Sequence, residues 1–409
     1  MSRNLRGNLI VCQSGGPTVV INSSLAGVID EALRHDEIKG VYGALNGILG
    51  LLNLSIIDLK REDPSIITGL RSTPSAALGS SRYKLKEEDL EKILDIFEGY
   101  NIRYFLINGG NDSMDAANRI LRFAKEMKFD LRVIGIPKTV DNDLLYTDHC
   151  PGYGSIGRWL AIATMDAGRD TEGIYTSDPI KIVETMGRDT GWVSATTSLA
   201  KQREEDAPHL IYFPEVTFNL QKFLEDVQLI YKTLGYVVVV VSEGIRGEDG
   251  GPIVESKRPI DTDSFGHRQP GGVSHFLAGA VSEQLGIKAR YDKPGTIQRS
   301  SIVCASTTDL QEAYLVGKMA VRYSIEGKSG FMVTLERINS PQYQVKTGLV
   351  ELEKVANKVR EFPGEFISKD HNFVTPDFVK YLTPLVGGEL PRYVRLKKYP
   401  IIRPNSNKR

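Results

Sequence analysis

Tyr236-Val237-Val238-Val239-Val240-Val241-Ser242-Glu243-Gly244 is the stretch on which the fold turns. A half-buried strand would alternate apolar and polar residues. This run does not, so it predicts a strand covered on both faces, as in a parallel sheet between helix layers. Similar short apolar runs occur at Asn8 to Gln13, Tyr104 to Ile107, Val133 to Ile136, Ile182 to Glu184 and His209 to Phe213. Between them the apolar spacing becomes helical. Leu25, Val28, Ile29, Ala32 and Leu33 share one face, Leu90, Ile93, Leu94 and Phe97 another, and Ala117, Ile120, Leu121 and Ala124 a third. The alternation predicts an α/β fold of doubly wound, mostly parallel sheets. The stretch from Gly244 to Gly272 is rich in Gly and Pro and reads as a loop excursion, and Lys397 to Arg409 as a basic tail.

With 409 residues the chain is long enough for two or three domains, and 41% hydrophobic and 25% charged residues are ordinary globular usage. Lys plus Arg and Asp plus Glu both number 51. No global positive charge draws the chain onto nucleic acid or an anionic bilayer, so any anion must be held by a local site. The longest apolar run falls far short of the roughly 20 residues of a membrane helix, and no signal-peptide pattern opens the sequence. No nucleic-acid or membrane partner is expected, and a cytoplasmic location follows. Cys12, Cys150 and Cys304 are odd in number and lack a CxxC, so they read as small buried hydrophobes.

In an open α/β sheet, ligands gather beyond the carboxyl ends of the strands, and polar residues just after each run are the candidates. Gly15-Gly16-Pro17 leads toward a helix, where backbone N–H groups can approach an anion; a tight turn needing no ligand explains it equally. Gly109-Gly110-Asn111-Asp112-Ser113 can admit a phosphate and offer oxygens to magnesium, or Asp112 or Ser113 can cap the following helix. Pro137-Lys138-Thr139-Val140-Asp141-Asn142-Asp143 puts one cation and two carboxylates into a strand-end loop. That set suits phosphoryl transfer, with a base for the hydroxyl proton and a cation for the moving charge, although a turn with a surface ion pair has the same composition. Met186-Gly187-Arg188 and Ser242-Glu243-Gly244 follow two further strands, and Arg290 and Arg299 can fork onto a phosphate dianion.

Taken in order with Leu78-Gly79-Ser80-Ser81-Arg82, Met186 to Trp192 and Gly295 to Ser300, these motifs make the sequence resemble the phosphofructokinases as far as about Val333. The segment from about Leu335 onward carries none of the resemblance. Asp112 and Lys138 stand where the ATP-using members have glycine, which is similar to the pyrophosphate-dependent branch. A carboxylate at 112 repels a nucleotide, while Lys138 adds positive charge for a bare diphosphate. The resemblance implies two domains facing across a cleft: a donor domain of 1–150 with about 300–345, and a sugar-phosphate domain of 151–299 with about 346–409. It implies transfer from pyrophosphate to the 1-hydroxyl of fructose 6-phosphate, with Mg2+ and a homodimer or larger homo-oligomer.

By the same resemblance Asp141 is the base, and Lys138 and Arg82 neutralise the transferred group. Asp112 screens the donor, Gly15 and Gly110 admit the diphosphate, and Asn111 and Asp143 attend the metal. Thr139, Val140, Met186, Gly187, Arg188, Glu243, Arg290, Thr296 and Arg299 hold the sugar phosphate. Asn111 replaces an aspartate and Thr296 a histidine or tyrosine of the family pattern. These two departures leave open a non-catalytic regulatory subunit; an ATP-dependent phosphofructokinase and an unrelated kinase with a Gly-Gly-Asn/Asp phosphate loop also stay open beside the pyrophosphate enzyme.

Overall fold

In the computed structural model, which describes residues 5–254 and 272–401, eleven strands form two sheets. In chain order they are β1 (Gly7–Gln13), β2 (Ile38–Ala44), β3 (Ile56–Asp58), β4 (Ile102–Gly109), β5 (Arg132–Pro137), β6 (Ile180–Thr185), β7 (Leu210–Tyr212), β8 (Val237–Ser242), β9 (Ala289–Asp292), β10 (Phe331–Arg337) and β11 (Val345–Glu351). The first sheet runs β11-β10-β5-β4-β1-β2-β3 and the second β7-β8-β6-β9. Pairing is parallel except for two antiparallel edges, β2 with β3 and β10 with β11.

The valine strand behaves as its composition demands. All six residues of β8 are buried, and β8 pairs in parallel with β6 and β7. One face meets Trp192, Phe213 and Phe378, the other Phe223, Leu277 and Val281. The larger sheet is sandwiched in the same way. Leu90, Phe97 and Ile120 cover one face, and Leu25, Ile29, Val316 and Val321 the other. At about 25 cal/mol per Å2 of apolar surface removed from water, such layers supply the main drive for folding.

Several strands departed from the expected pattern. β2 is broken by Gly40 and Gly43, β9 is largely exposed, and β10 and β11 lie at or beyond the end of the recognisable motifs. Strands from 7–137 and from 331–351 share the first sheet, so the chain returns to it late. Most of the Gly244–Gly272 excursion, and the tail from residue 402, lie outside the described residues. Cys12 and Cys150 are buried free thiols, with burial holding the Cys150 thiol up at about 12. No helix among the described residues is long and apolar enough to cross a membrane.

In the first sheet β1 lies between β2 and β4, so successive connections leave it in opposite directions. That is the switch point at which open α/β sheets form a crevice. The loops after β1, β4 and β5 meet the loops after β6 and β8 across it.

Candidate active site

The cleft between these strand ends has a volume of about 430 Å3. Of the residues singled out in the sequence, Gly15, Gly110, Arg82, Lys138, Asp141 and Asp143 line it, as do Asn111, Asp112, Thr139 and Val140. From the second sheet come Met186, Gly187, Arg188, Glu243 and Arg299.

Two glycines bring the backbone close to the cations of the cleft. Gly15 has φ +76°, and a Cβ there would meet the Lys138 ammonium at 3.3 Å. A Cβ on Gly16 would lie 2.3 Å from the Arg299 guanidinium. The helix after this loop begins only at Ile21, so Lys138 and Arg299, rather than a helix end, bring positive charge to the two glycines. The loop after β4 differs. Its helix, Asn111–Glu126, starts inside the cleft with Gly110 as N-cap and no side-chain cap. The expected capping by Asp112 or Ser113 is therefore not found: extended backbone at Gly110 starts the helix earlier and leaves both residues in its first turn.

Lys138 is 3% exposed and donates to the Gly16 carbonyl at 2.8 Å. Burial, reinforced by Arg299, pushes its ammonium down to about 8, while Asp141 and Asp143 pull the other way. The loop beyond it is tightly folded. Thr139 Oγ1 accepts from the Asp141 N–H at 3.1 Å, Thr190 donates to the Asp141 carbonyl at 3.3 Å, and Asn142 takes a left-handed φ of 54°. Burial raises the Asp141 carboxyl, and Asp143 and Glu243 raise it further by like charge. Asp143 is also raised by burial, with Thr139 and Arg360 acting against it. Its Oδ1 is buried without a hydrogen-bond partner among the described residues, as is Arg188 Nε.

Two predicted residues stand apart. Arg290 lies in β9, in register with Lys181 near the start of β6, and bonds Asp178 at 2.9 Å; β9 runs parallel to β6, which puts Arg290 at the end of the sheet away from the cleft. Thr296 is exposed in the short helix Gly295–Arg299, and neither residue lines the cleft of its own chain. That helix instead sends Arg299 inward, and Gln298 accepts from the Met186 N–H at 3.2 Å.

Asp189 and Thr190, which directly follow Arg188 and carried no expected role, also line the cleft. More consequential is the segment after β11. Asn357 and Val359 line the cleft rim. Arg360 then fastens the carboxylate loop through backbone carbonyls alone. Its guanidinium donates to Asn142 at 2.7 and 3.0 Å, to Thr147 at 2.6 Å and to Asp148 at 2.8 Å, and lies 4.5 Å over the Trp192 ring. Its own N–H donates to the Asp143 carbonyl at 2.8 Å. No spacing or motif ties residue 360 to residue 142; only the fold does.

Chemically, the cleft offers buried cations, a glycine-lined anion loop, a helix N-terminus and carboxylates whose proton affinity is raised. That is equipment for moving a phosphoryl group onto a hydroxyl. Comparison with known proteins points the same way. Residues 8–323 match the family model described as Phosphofructokinase. The chain is 41% identical to the pyrophosphate–fructose 6-phosphate 1-phosphotransferase of Xanthomonas campestris pv. campestris, covering 97% of this chain and 98% of that one. It is 39% identical to the enzyme of the same name from Halomonas elongata, with 97% of each covered. The crystal structure of a pyrophosphate-dependent phosphofructokinase from Nitrosospira multiformis superposes with a TM-score of 0.86 at 38% identity, covering 98% of this chain and 99% of that one.

Proposed function

The chain belongs to the phosphofructokinase family, and from that premise we propose that it transfers a phosphoryl group from pyrophosphate to the 1-hydroxyl of fructose 6-phosphate. The products are fructose 1,6-bisphosphate and phosphate. The observation that carries the donor assignment is Lys138, a buried cation against the glycine loop, together with Asp112 in the first turn of the facing helix. Lys138 matches the charge of an inorganic diphosphate, and the Asp112 carboxylate disfavours a nucleotide's further phosphate.

In the reaction, Asp141 takes the proton of the sugar 1-hydroxyl as its oxygen bonds to the transferred phosphorus. The bond from that phosphorus to the bridging oxygen breaks, and phosphate leaves with the electron pair. Lys138 and Arg82 offset the charge gathering on the transferred and leaving groups, from fixed positions that need no reorganisation. Gly15 and Gly110 leave room for the diphosphate against backbone. Thr139 and Val140 border the reacting hydroxyl, Met186, Gly187, Arg188 and Glu243 hold the sugar, and Arg299, set against Gly16 of the donor loop, adds positive charge where the two substrates meet. Arg290 lies off the cleft of its own chain; as the family resemblance implies, a basic residue from a second copy of the chain would complete the sugar-phosphate end in a homodimer or larger assembly.

The residues fit a hard divalent cation. Asp143 Oδ1 is buried without a protein partner among the described residues, and Asn111 lines the same cleft. Asp143 and Asn111 would hold Mg2+, which keeps several waters and usually takes only one or two carboxylates besides phosphate oxygens. When bound it neutralises phosphate charge and orients the donor. The enzyme works in the cytoplasm on these two small substrates. Phosphorus NMR of the purified chain with pyrophosphate, fructose 6-phosphate and Mg2+ tests the reading: equal amounts of phosphate and fructose 1,6-bisphosphate should form, and the products alone should regenerate pyrophosphate. An unchanged spectrum in both directions contradicts it.

A further inference from the structure

Between the short helix Leu352–Val355 and Arg360, the chain crosses the rim of the cleft as a strap. It is tied at both ends. On one side Asn357 Nδ2 donates to Asp115 Oδ1 at 2.9 Å, and Asn111 Nδ2 donates to the Lys358 carbonyl at 3.4 Å. Both partners lie in the first two turns of the helix that opens with the diphosphate loop. On the other side Arg360 is locked onto the carboxylate loop by its carbonyl bonds. The cleft of about 430 Å3 must take a hexose phosphate as well as the donor. A diphosphate ends at the loop. A substituent on its outer phosphate that leaves along the start of that helix meets Asn357 and Val359, which line the same cleft.

We propose that Asn357 and Val359 form a second gate for donor size, which excludes a nucleoside independently of the charge at Asp112. The inference rests on the pyrophosphate reading and extends it to a segment outside the matched residues 8–323. It differs from the Asp112 argument in kind. Asp112 repels phosphate charge, which salt screens, whereas the strap takes up space, which salt does not change.

The test compares the full-length chain, Asp112→Gly, and Asp112→Gly combined with Asn357→Gly and Val359→Gly. Asn357 has φ 56°, so glycine suits its backbone. Each protein is assayed for kcat/KM with ATP and with pyrophosphate, and ATP binding is followed by calorimetry. The gate predicts that Asp112→Gly alone gains less than about tenfold in ATP kcat/KM, and that opening the strap adds a further tenfold or more with correspondingly tighter ATP binding. Should the triple variant fail to fold, Asp112→Gly with Asn357→Gly alone is measured by the same two readouts. ATP kcat/KM and affinity within twofold of Asp112→Gly would overturn the gate while leaving the pyrophosphate reading in place. An unmodified chain that uses ATP and ignores pyrophosphate would overturn both.

Discussion

Lys138 gives the sharpest handle on the chemistry, because the proposed reaction needs its charge and burial makes that charge costly. Its ordinary value of 10.5 falls to about 8 on burial. A lysine with a depressed value keeps its charge below the folded value and loses it as pH rises. In the free enzyme the charged form outnumbers the neutral one by about ten to one at pH 7, and the ratio inverts by about pH 9. With fructose 6-phosphate saturating, kcat/KM for pyrophosphate should therefore fall by about tenfold between pH 7 and 9. Bound diphosphate favours the ammonium, so the same limb in kcat should move to higher pH. Lys138→Arg, which does not lose its proton, should remove the limb even if the bulkier group lowers the rate.

Lys138→Met should cost about 10² to 10³ in kcat, as loss of a preorganised charge at the reacting centre does. Its effect on stability should have the opposite sign. The depressed value means that the charged lysine destabilises the folded state at pH 7, by up to about 3 kcal/mol at 1.36 kcal/mol per pKa unit. Part of this is offset by the lost bond to Gly16. The Met variant should then melt higher than the parent while being nearly inactive. Initial rates at constant ionic strength and thermal melts decide the matter. A kcat/KM flat to pH 9.5, or a Met variant that melts several degrees lower, would refute the reasoning.

Asp141→Asn should lower kcat by about 10² to 10⁴ with a much smaller change in the KM for fructose 6-phosphate, as removal of a general base does; near-unchanged turnover would take Asp141 out of that role. Arg360→Lys cannot serve the three carbonyls with one point charge, so the carboxylate loop should loosen, and a shift of about 1 Å there costs about 10² in kcat; steady-state kinetics showing a raised KM at constant kcat would contradict this. His149 is held at about 9 by Asp148 and Glu312 against its burial, with Tyr343 and Arg337 packed beside the same carboxylates. Its contribution is fully present below about pH 6.5 and lost as pH climbs through 9, up to about 3 kcal/mol, so urea unfolding at pH 6.5 and 9.5 should show a smaller loss for His149→Gln than for the parent. Equal losses would show that the imidazolium contributes nothing.

The strand cores and the loops that follow them were readable because burial on both faces leaves a dense local signature, as at Val237–Val241, and because parallel sheets place function at strand ends. What escaped was whatever lacked a local signature. Helix Tyr153–Gly173 was not among the elements read from the sequence; its Gly154 and Gly157 admit the C-terminal residues Leu385 and Leu382. Arg290 was assigned by motif order, but register in β9 sends it to the far end of the sheet. Arg360 and the strap were invisible for the converse reason: the hydrogen-bond partners of Arg360 and Asn357 lie more than 200 positions away, and the bonds of Arg360 to backbone carbonyls leave no trace in the partners' side chains. Long-range contacts of this kind are set by topology, which the sequence expresses only through the fold.

A cleft built for an inorganic diphosphate shows itself in donor preference. Rates are taken with fructose 6-phosphate and Mg2+ while pyrophosphate and ATP are varied separately. A kcat/KM for pyrophosphate exceeding that for ATP by about 10³ or more is the expected result, equivalent to about 4 kcal/mol of discrimination from Asp112, Lys138 and the strap together. Equal or better use of ATP would contradict it.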